Sequence, residues 1–339
     1  MYEHLLINRQ FSQPIKIDKQ WSNLMKDYAK LREERFSKLS GEVLEYFTSG
    51  MMIQRPSCRE LGVEGMRNLE LFGPLEPDPA IDYEDLEIPG PARAIPTRIY
   101  RPKHLNSDPQ PIYLHTHGGG YVSMGGDVNM PGSNKIALQS DCIVVVPDYC
   151  LPPEYPFPQG LEECYAALEW TIENAEEVGG RPDGICVGGG CTGGNIAAVV
   201  ALMARDAGLP LAAQDLYCTL FDARCDYESH YENGEGYTLS HDDCVWVVEQ
   251  YLQDLDLRFD WRASPILVPS VKGVAPALIR DGEWDVLRDE SIAYANRLRD
   301  AGVEFQLNIV PECSHTETPA TDASRYQELK EFMQKYCGA

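Results

Sequence analysis

The sequence predicts an α/β protein whose mainly parallel sheet is covered by helices on both faces. Three observations carry that expectation. From about residue 80 onward, short apolar segments alternate with helical patterns of ten or more residues, as parallel strands joined by crossover helices do. The apolar segment 185–187 runs through Gly188-Gly189-Gly190-Cys191-Thr192-Gly193-Gly194 into the apolar stretch 196–202, which reads as strand, sharp turn and helix. A second apolar segment, 112–115, runs into His117-Gly118-Gly119-Gly120. Binding sites in such sheets lie at the carboxyl ends of the strands.

Taken in chain order, residues 1–75 form the first region. Trp21, Leu24, Met25, Tyr28 and Leu31 recur at helical spacing, and so do Phe36, Leu39, Val43, Leu44 and Phe47. Such helices could pack on the body of the protein or cap an active site, and their apolar faces do not separate the two. Residues 76–339 carry the alternation. Strands are expected at 94–100, 112–115, 142–147, 184–187, 216–220, 277–280 and 305–310, and helices at 133–140, 161–177, 191–207, 286–301 and 323–336. The alternation breaks over 221–261, an acidic stretch containing Gly234 and Gly236 and then a helix over 242–252. Ser240 followed by Asp243 has the pattern of a capping box for that helix. This stretch is expected to contribute to a lid. His241-Asp242-Asp243-Cys244 offers metal-ligating residue types, but consecutive helical residues point in different directions, which favours capping over metal binding.

With 339 residues the chain can bury a large core, and its 43% hydrophobic and 24% charged content is ordinary for a globular protein. The formal charge of -24 is not, and it argues against nucleic acid, anionic membrane surfaces and polyanionic substrates as partners. The first nine residues lack the apolar core of a secretory signal, and no apolar run approaches membrane-spanning length. Eleven scattered cysteines, odd in number and without a C-x-x-C pair, suggest reduced thiols, hence a cytoplasmic protein. The expected partner is a small neutral or apolar molecule, with no metal and no organic cofactor.

The two glycine turns carry the chemistry. At 188–194 small residues surround Cys191, so the turn can lift that side chain clear of the sheet at a helix N-terminus, where a thiolate or an oxyanion is favoured. At 117–120 glycines let consecutive backbone N–H groups point into one cavity. Gly118 and Gly119, with the N–H of Thr192 after the nucleophile, are the expected oxyanion-hole donors. His115, on a strand, is expected in the core, and His117 is expected to brace its glycine loop.

Further segments resemble the hormone-sensitive-lipase family of α/β-hydrolases, the carboxylesterase-like group. Asp148-Tyr149-Cys150-Leu151-Pro152-Pro153-Glu154-Tyr155-Pro156-Phe157-Pro158 is similar to the family's D-Y-R-L-A-P-E-x-x-F-P block. Residues 222–261 have the length of its lid insertion, and Arg262-Ala263-Ser264-Pro265 matches the family segment just after that insertion. Gly282-Glu283-Trp284-Asp285-Val286-Leu287-Arg288-Asp289-Glu290 is similar to the segment bearing the catalytic acid. The resemblance spans roughly residues 80 to 337. It implies the α/β-hydrolase fold with an eight-stranded sheet and a helical cap, and ester or acyl chemistry; a thioester formed on cysteine would leave both hydrolysis and transfer to a bound nucleophile open. The resemblance also implies Cys191 as nucleophile, Asp285 as acid and His315 as base, in the chain order that the fold requires. Asp285 could equally cap the helix that follows it. Two departures stand out. The family's G-D-S-A-G-G reads Gly189-Gly190-Cys191-Thr192-Gly193-Gly194 here, so Gly190 is expected to leave extra room for the larger sulfur. Glu317 stands where a phenylalanine commonly follows the catalytic histidine.

Three rival readings remain on this sequence. Gly188-x-Gly190-x-x-Gly193 fits a dinucleotide fingerprint, which wants an acidic residue at the end of the next strand. Asp215 has the spacing but precedes the strand expected at 216–220, and His-Gly-Gly-Gly has no role in that reading. His315 and the oxyanion hole could instead drive a non-covalent cyclisation or elimination. A catalytically silent small-molecule receptor is the third, disfavoured by a chemically competent residue at every triad position.

Overall fold

The computed structural model describes residues 19–39, 41–48, 56–69, 75–106, 108–316 and 319–338. The chain divides after Leu39 into two compact units. Among the described residues the first holds one helix, α1 (Lys19–Lys38). The second, residues 40–339, begins with α2 (Gly41–Thr48) and α3 (Cys58–Arg67) and then builds the sheet.

Eight strands form one sheet: β1 (Ile81–Ile88), β2 (Ile95–Pro102), β3 (Gln110–His115), β4 (Ile143–Pro147), β5 (Gly180–Gly190), β6 (Ala213–Tyr217), β7 (Ala277–Gly282) and β8 (Phe305–Val310). Their spatial order is β1-β2-β4-β3-β5-β6-β7-β8. β1 pairs antiparallel with β2, and β2 antiparallel with β4. The remaining pairs are parallel. β1 escaped the sequence reading because IDYEDLEI alternates charge with apolar residues and has only Ile81 and Ile88 buried, as an edge hairpin strand does. β6 lies three residues earlier than expected, at 213–217. Leu216 and Leu220, which suggested 216–220, are both buried, but Leu220 belongs to the loop beyond the strand.

The strands sort their side chains by the period of two. Ile112, Leu114, Ile143, Val145, Ile185, Val187, Ala277 and Ile279 enter one core. Tyr113, Val144, Val146, Cys186 and Leu278 enter the other. The first core is covered by α5 (Gln159–Glu173), α6 (Thr192–Ala207) and α9 (Arg288–Asp300), the second by α4 (Met130–Ser140) and α10 (Pro319–Tyr336). The expected three-layer α/β architecture is therefore present.

The interruption at 221–261 contains a short helix that the sequence did not announce, α7 (Glu228–Glu232), and the expected one, α8 (His241–Leu252). α8 begins with the anticipated capping box: Ser240 Oγ accepts from Asp243 N, and Asp243 accepts from Ser240 N. The second Asp243 oxygen accepts from Cys58 N at 2.6 Å, and Arg59 reaches Asp242 and Glu249, so α3 is fastened to α8. These contacts bear out capping for Asp243, while Cys244 turns into the core.

The insertion is also tied to α9 and the loop before it. Buried Glu290 accepts from Phe221 N and Asp222 N, and its other oxygen lies 2.6 Å from Nε2 of His230. Ser229 Oγ donates to Val286 O, and Asn233 Nδ2 donates to Asp285 O. Replacing Ser240 by Ala should cost about 1 kcal/mol of stability through loss of the cap. The shift in urea midpoint at constant slope measures it.

Candidate functional site

Four loops at the carboxyl ends of parallel strands converge on one place. β3 delivers Thr116-His117-Gly118-Gly119, β5 delivers Cys191, β7 delivers Asp285 and β8 delivers His315. The β5–α6 turn is packed hard against the end of β3. A Cβ on Gly189 or on Gly193 would stand 2.1 Å from Thr116 O, closer than any side chain tolerates. Thr116 Oγ1 donates to Gly193 O and Gly188 O, closing the same contact from the other side.

Cys191 sits at the crown of that turn with φ 57 and ψ -125, a sparsely populated region for a residue with a side chain. Its N–H donates to Tyr217 O, and its carbonyl accepts from Asn195 N and Leu220 N. Its side chain makes no cap for α6, which leaves the sulfur available. All eleven cysteines are free thiols, and Cys191 alone is not buried. A Cβ on Gly190 would meet the Tyr217 ring at 3.0 Å, so the missing side chain makes space for a β6 tyrosine.

Asp285 and His315, thirty residues apart, meet. His315 Nδ1 lies 2.8 Å from Asp285 Oδ2, while Asp285 Oδ1 accepts from Leu287 N at 3.0 Å. The carboxylate holds the ring and accepts in the turn before α9, but it does not cap that helix, which starts at Arg288 with Leu287 at the N-cap. Burial is the largest influence on each partner and opposes its charged form. The mutual attraction outweighs it: Asp285 falls below the ordinary carboxyl value, and His315 rises well above the ordinary imidazole value. The second contributor to the rise of His315 is Cys191. With Nδ1 facing Asp285, the ring nitrogen left for Cys191 is Nε2.

The glycine loop after β3 approaches Cys191. A Cβ on Gly118 would lie 3.4 Å from Cys191 Cβ, so this loop borders the nucleophile candidate directly. His117 Nδ1 lies 2.8 Å from Gly118 O, as expected of a bracing residue, and its ring stacks on Tyr149 with centroids 4.3 Å apart. Holding Gly118 O on one side turns the N–H of Gly119, in the same planar peptide, to the other. Thr192 is the first residue of α6, where an N–H has no intrahelical acceptor. His115 is buried beside Ser133 with its pKa pushed down to about 3 by burial, which is the core histidine that its strand position implied.

Sequence reasoning missed Cys218 and Asp281. Cys218 follows β6 with φ 45, and its sulfur, an Asp285 oxygen and a His315 nitrogen lie within 4.8 Å of one another. Among the described residues this is the one such His, Cys and carboxylate grouping. Burial raises the Cys218 thiol pKa. Such a neutral thiol is a poor metal ligand. Had β6 been placed at 213–217, Cys218 would have stood one strand over from Cys191. Asp215 lies inside β6, buried, and accepts from Tyr113 Oη at 2.8 Å, so it offers no carboxylate at a strand end for a ribose. Glu317 lies outside the described residues.

The paired shifts set a pH window for stability. His315, raised, stabilises the fold fully below its ordinary value of 6.5 and loses that contribution as pH climbs through its folded value. Asp285, lowered, contributes fully above 3.8 and loses it as pH falls through its folded value. The stability gap between wild type and Asp285→Asn should therefore be greatest between about pH 4 and 6.5 and shrink at alkaline pH. Urea unfolding of both proteins at pH 6 and pH 10 checks the sign.

The family model described as the alpha/beta hydrolase fold matches residues 113–318. The carboxylic ester hydrolase LipN of Mycobacterium tuberculosis is 37% identical over 242 residues, covering 69% of this chain and 64% of LipN. The chain thus spans a little under two thirds of that relative's length. The carboxylesterase NlhH of the same organism is 37% identical over 225 residues, covering 65% of this chain and 70% of NlhH. Among solved structures, DphMB1 superposes with a TM-score of 0.79 at 30% identity, over 87% of this chain and 99% of that one. No helix among the described residues is long and apolar enough to cross a membrane. On the family match, the relatives' coverage and the eight-stranded sheet together, this chain belongs to the alpha/beta hydrolase fold family.

Proposed function

We propose that the protein carries out acyl chemistry on a small neutral or apolar ester or thioester, with Cys191 as nucleophile, His315 as base and Asp285 as its carboxylate partner. The observation that carries this reading is the grouping of the one thiol of eleven that is not buried with the His315 ring and the Asp285 carboxylate. The relatives' names, a carboxylic ester hydrolase and a carboxylesterase, support the ester bond as the target.

In this mechanism the Cys191 sulfur attacks the substrate carbonyl and its proton goes to His315 Nε2. Asp285 stabilises the imidazolium that forms. The carbonyl oxygen gathers negative charge and is received by the N–H groups of Gly118, Gly119 and Thr192. Collapse expels the alcohol or thiol, which takes the proton from His315, and leaves a thioester on Cys191. Water, deprotonated by His315, releases the acid. Because a thioester is less resonance-stabilised than an ester, an amine, alcohol or carbon nucleophile seated in the site can compete with water. The neutral or apolar substrate class follows from the net charge of -24, which disfavours polyanions.

Incubation with a short p-nitrophenyl ester should yield an acyl adduct on Cys191 by intact mass and peptide mapping. Cys191→Ala should lose the adduct and, on the order of 10⁶-fold, turnover. Undiminished turnover by purified Cys191→Ala would remove the covalent step.

A further inference from the structure

Next to the Asp285–His315 pair lies a second carboxyl with no part in the acyl transfer steps. Asp281 occupies β7, four residues before Asp285, and has no exposed surface. Its Oδ1 accepts from Gly282 N at 2.8 Å and its Oδ2 from Ser291 Oγ at 2.6 Å. Its carboxyl group lies near enough to that of Asp285 for each to shift the other's ionisation, and both are buried. Two buried carboxylates side by side cannot both stay charged. Asp285 faces His315 and Leu287 N, whereas Asp281 faces only neutral donors, so the proton belongs to Asp281.

We propose that Asp281 is a neutral carboxylic acid that donates a hydrogen bond to the Asp285 carboxylate and acts as a positioning residue for the Asp285–His315 pair. Asp285 then has three donors, from Leu287, His315 and Asp281, which fix the carboxylate's rotation and keep it ionised away from water. The other groups facing the pair are consistent with one negative charge there. Cys218 after β6 and Cys313 in the His315 loop are buried thiols, Glu290 on α9 has its carboxyl pKa raised well above the usual range by burial, and His230 of the insertion is pushed down to about 4. The role of the pair in turnover rests on the proposed acyl chemistry; the protonation state of Asp281 does not.

Asp281→Asn keeps a neutral donor of the same shape. The infrared difference spectrum of wild type and Asp281→Asn at pH 7 should show loss of the carbonyl band of a protonated carboxylic acid. Loss of a carboxylate band instead overturns the proposal, whatever the activity. In turnover of a short p-nitrophenyl ester, Asp281→Ala should lower kcat about tenfold or more with KM little changed, through a misplaced ring. It should also move the acid limb of kcat/KM upward by roughly half a pH unit or more, because Asp285 loses a donor that favours its charged form. Asp281→Asn should restore both. An Asp281→Ala enzyme that matches wild type in kcat and in its acid limb overturns the positioning role. If the alanine variant does not fold, the infrared result and the asparagine kinetics decide. Turnover surviving Cys191→Ala would sink the covalent reading and leave the infrared outcome standing.

Discussion

Asp285 has almost no exposed surface, and a carboxylate in such a place must be matched by donors or give up its charge. Much of the surrounding architecture supplies that match. His315 arrives from beyond β8, Leu287 N from the turn into α9, and the Asp285 backbone is held in turn by Asn233 of the insertion. Thr238 of the same insertion bonds Ser314, the neighbour of His315. The stretch 221–261 therefore braces both loops that carry the pair, and its role is structural even before any substrate is considered.

The nucleophile side is held by a different kind of constraint. The β5–α6 turn approaches the end of β3 so closely that backbone meets backbone, and glycine at 189 and 193 is what permits it. Cys191 is carried in an unfavourable backbone conformation because its N–H and carbonyl are pinned by Tyr217, Asn195 and Leu220. Such strain, on the order of 1–3 kcal/mol, persists only where surrounding bonds over-determine it. The sulfur is thereby presented to the imidazole and the glycine loop without capping the helix.

The other ten cysteines show why residue type alone is a poor guide. Cys142, Cys164 and Cys186 fill the cores as small apolar side chains, with thiol pKa values driven up by burial. Cys218 is chemically the same residue as Cys191 and stands one strand away, yet it is buried, and burial opposes its ionisation. Position at the end of β5, and not the presence of sulfur, distinguishes the candidate nucleophile.

Local pattern was enough to determine the alternating strands and helices, the glycine turns at 117–120 and 188–194, the Ser240–Asp243 cap and the core placement of His115. Each of these depends on interactions within a few residues or on a period of two or 3.6. The shared motifs extended that reach to Asp285 and His315, whose separation of thirty residues no periodicity encodes. What the tertiary structure alone decided are the lateral relations: β1 as a polar hairpin edge, the true register of β6, Tyr217 filling the place beside Gly190, and Asp281 near Asp285. These depend on which strands lie side by side and how far each is slid along its neighbour. Sheet order and register are set by the summed packing of two cores, which no single segment of the chain carries.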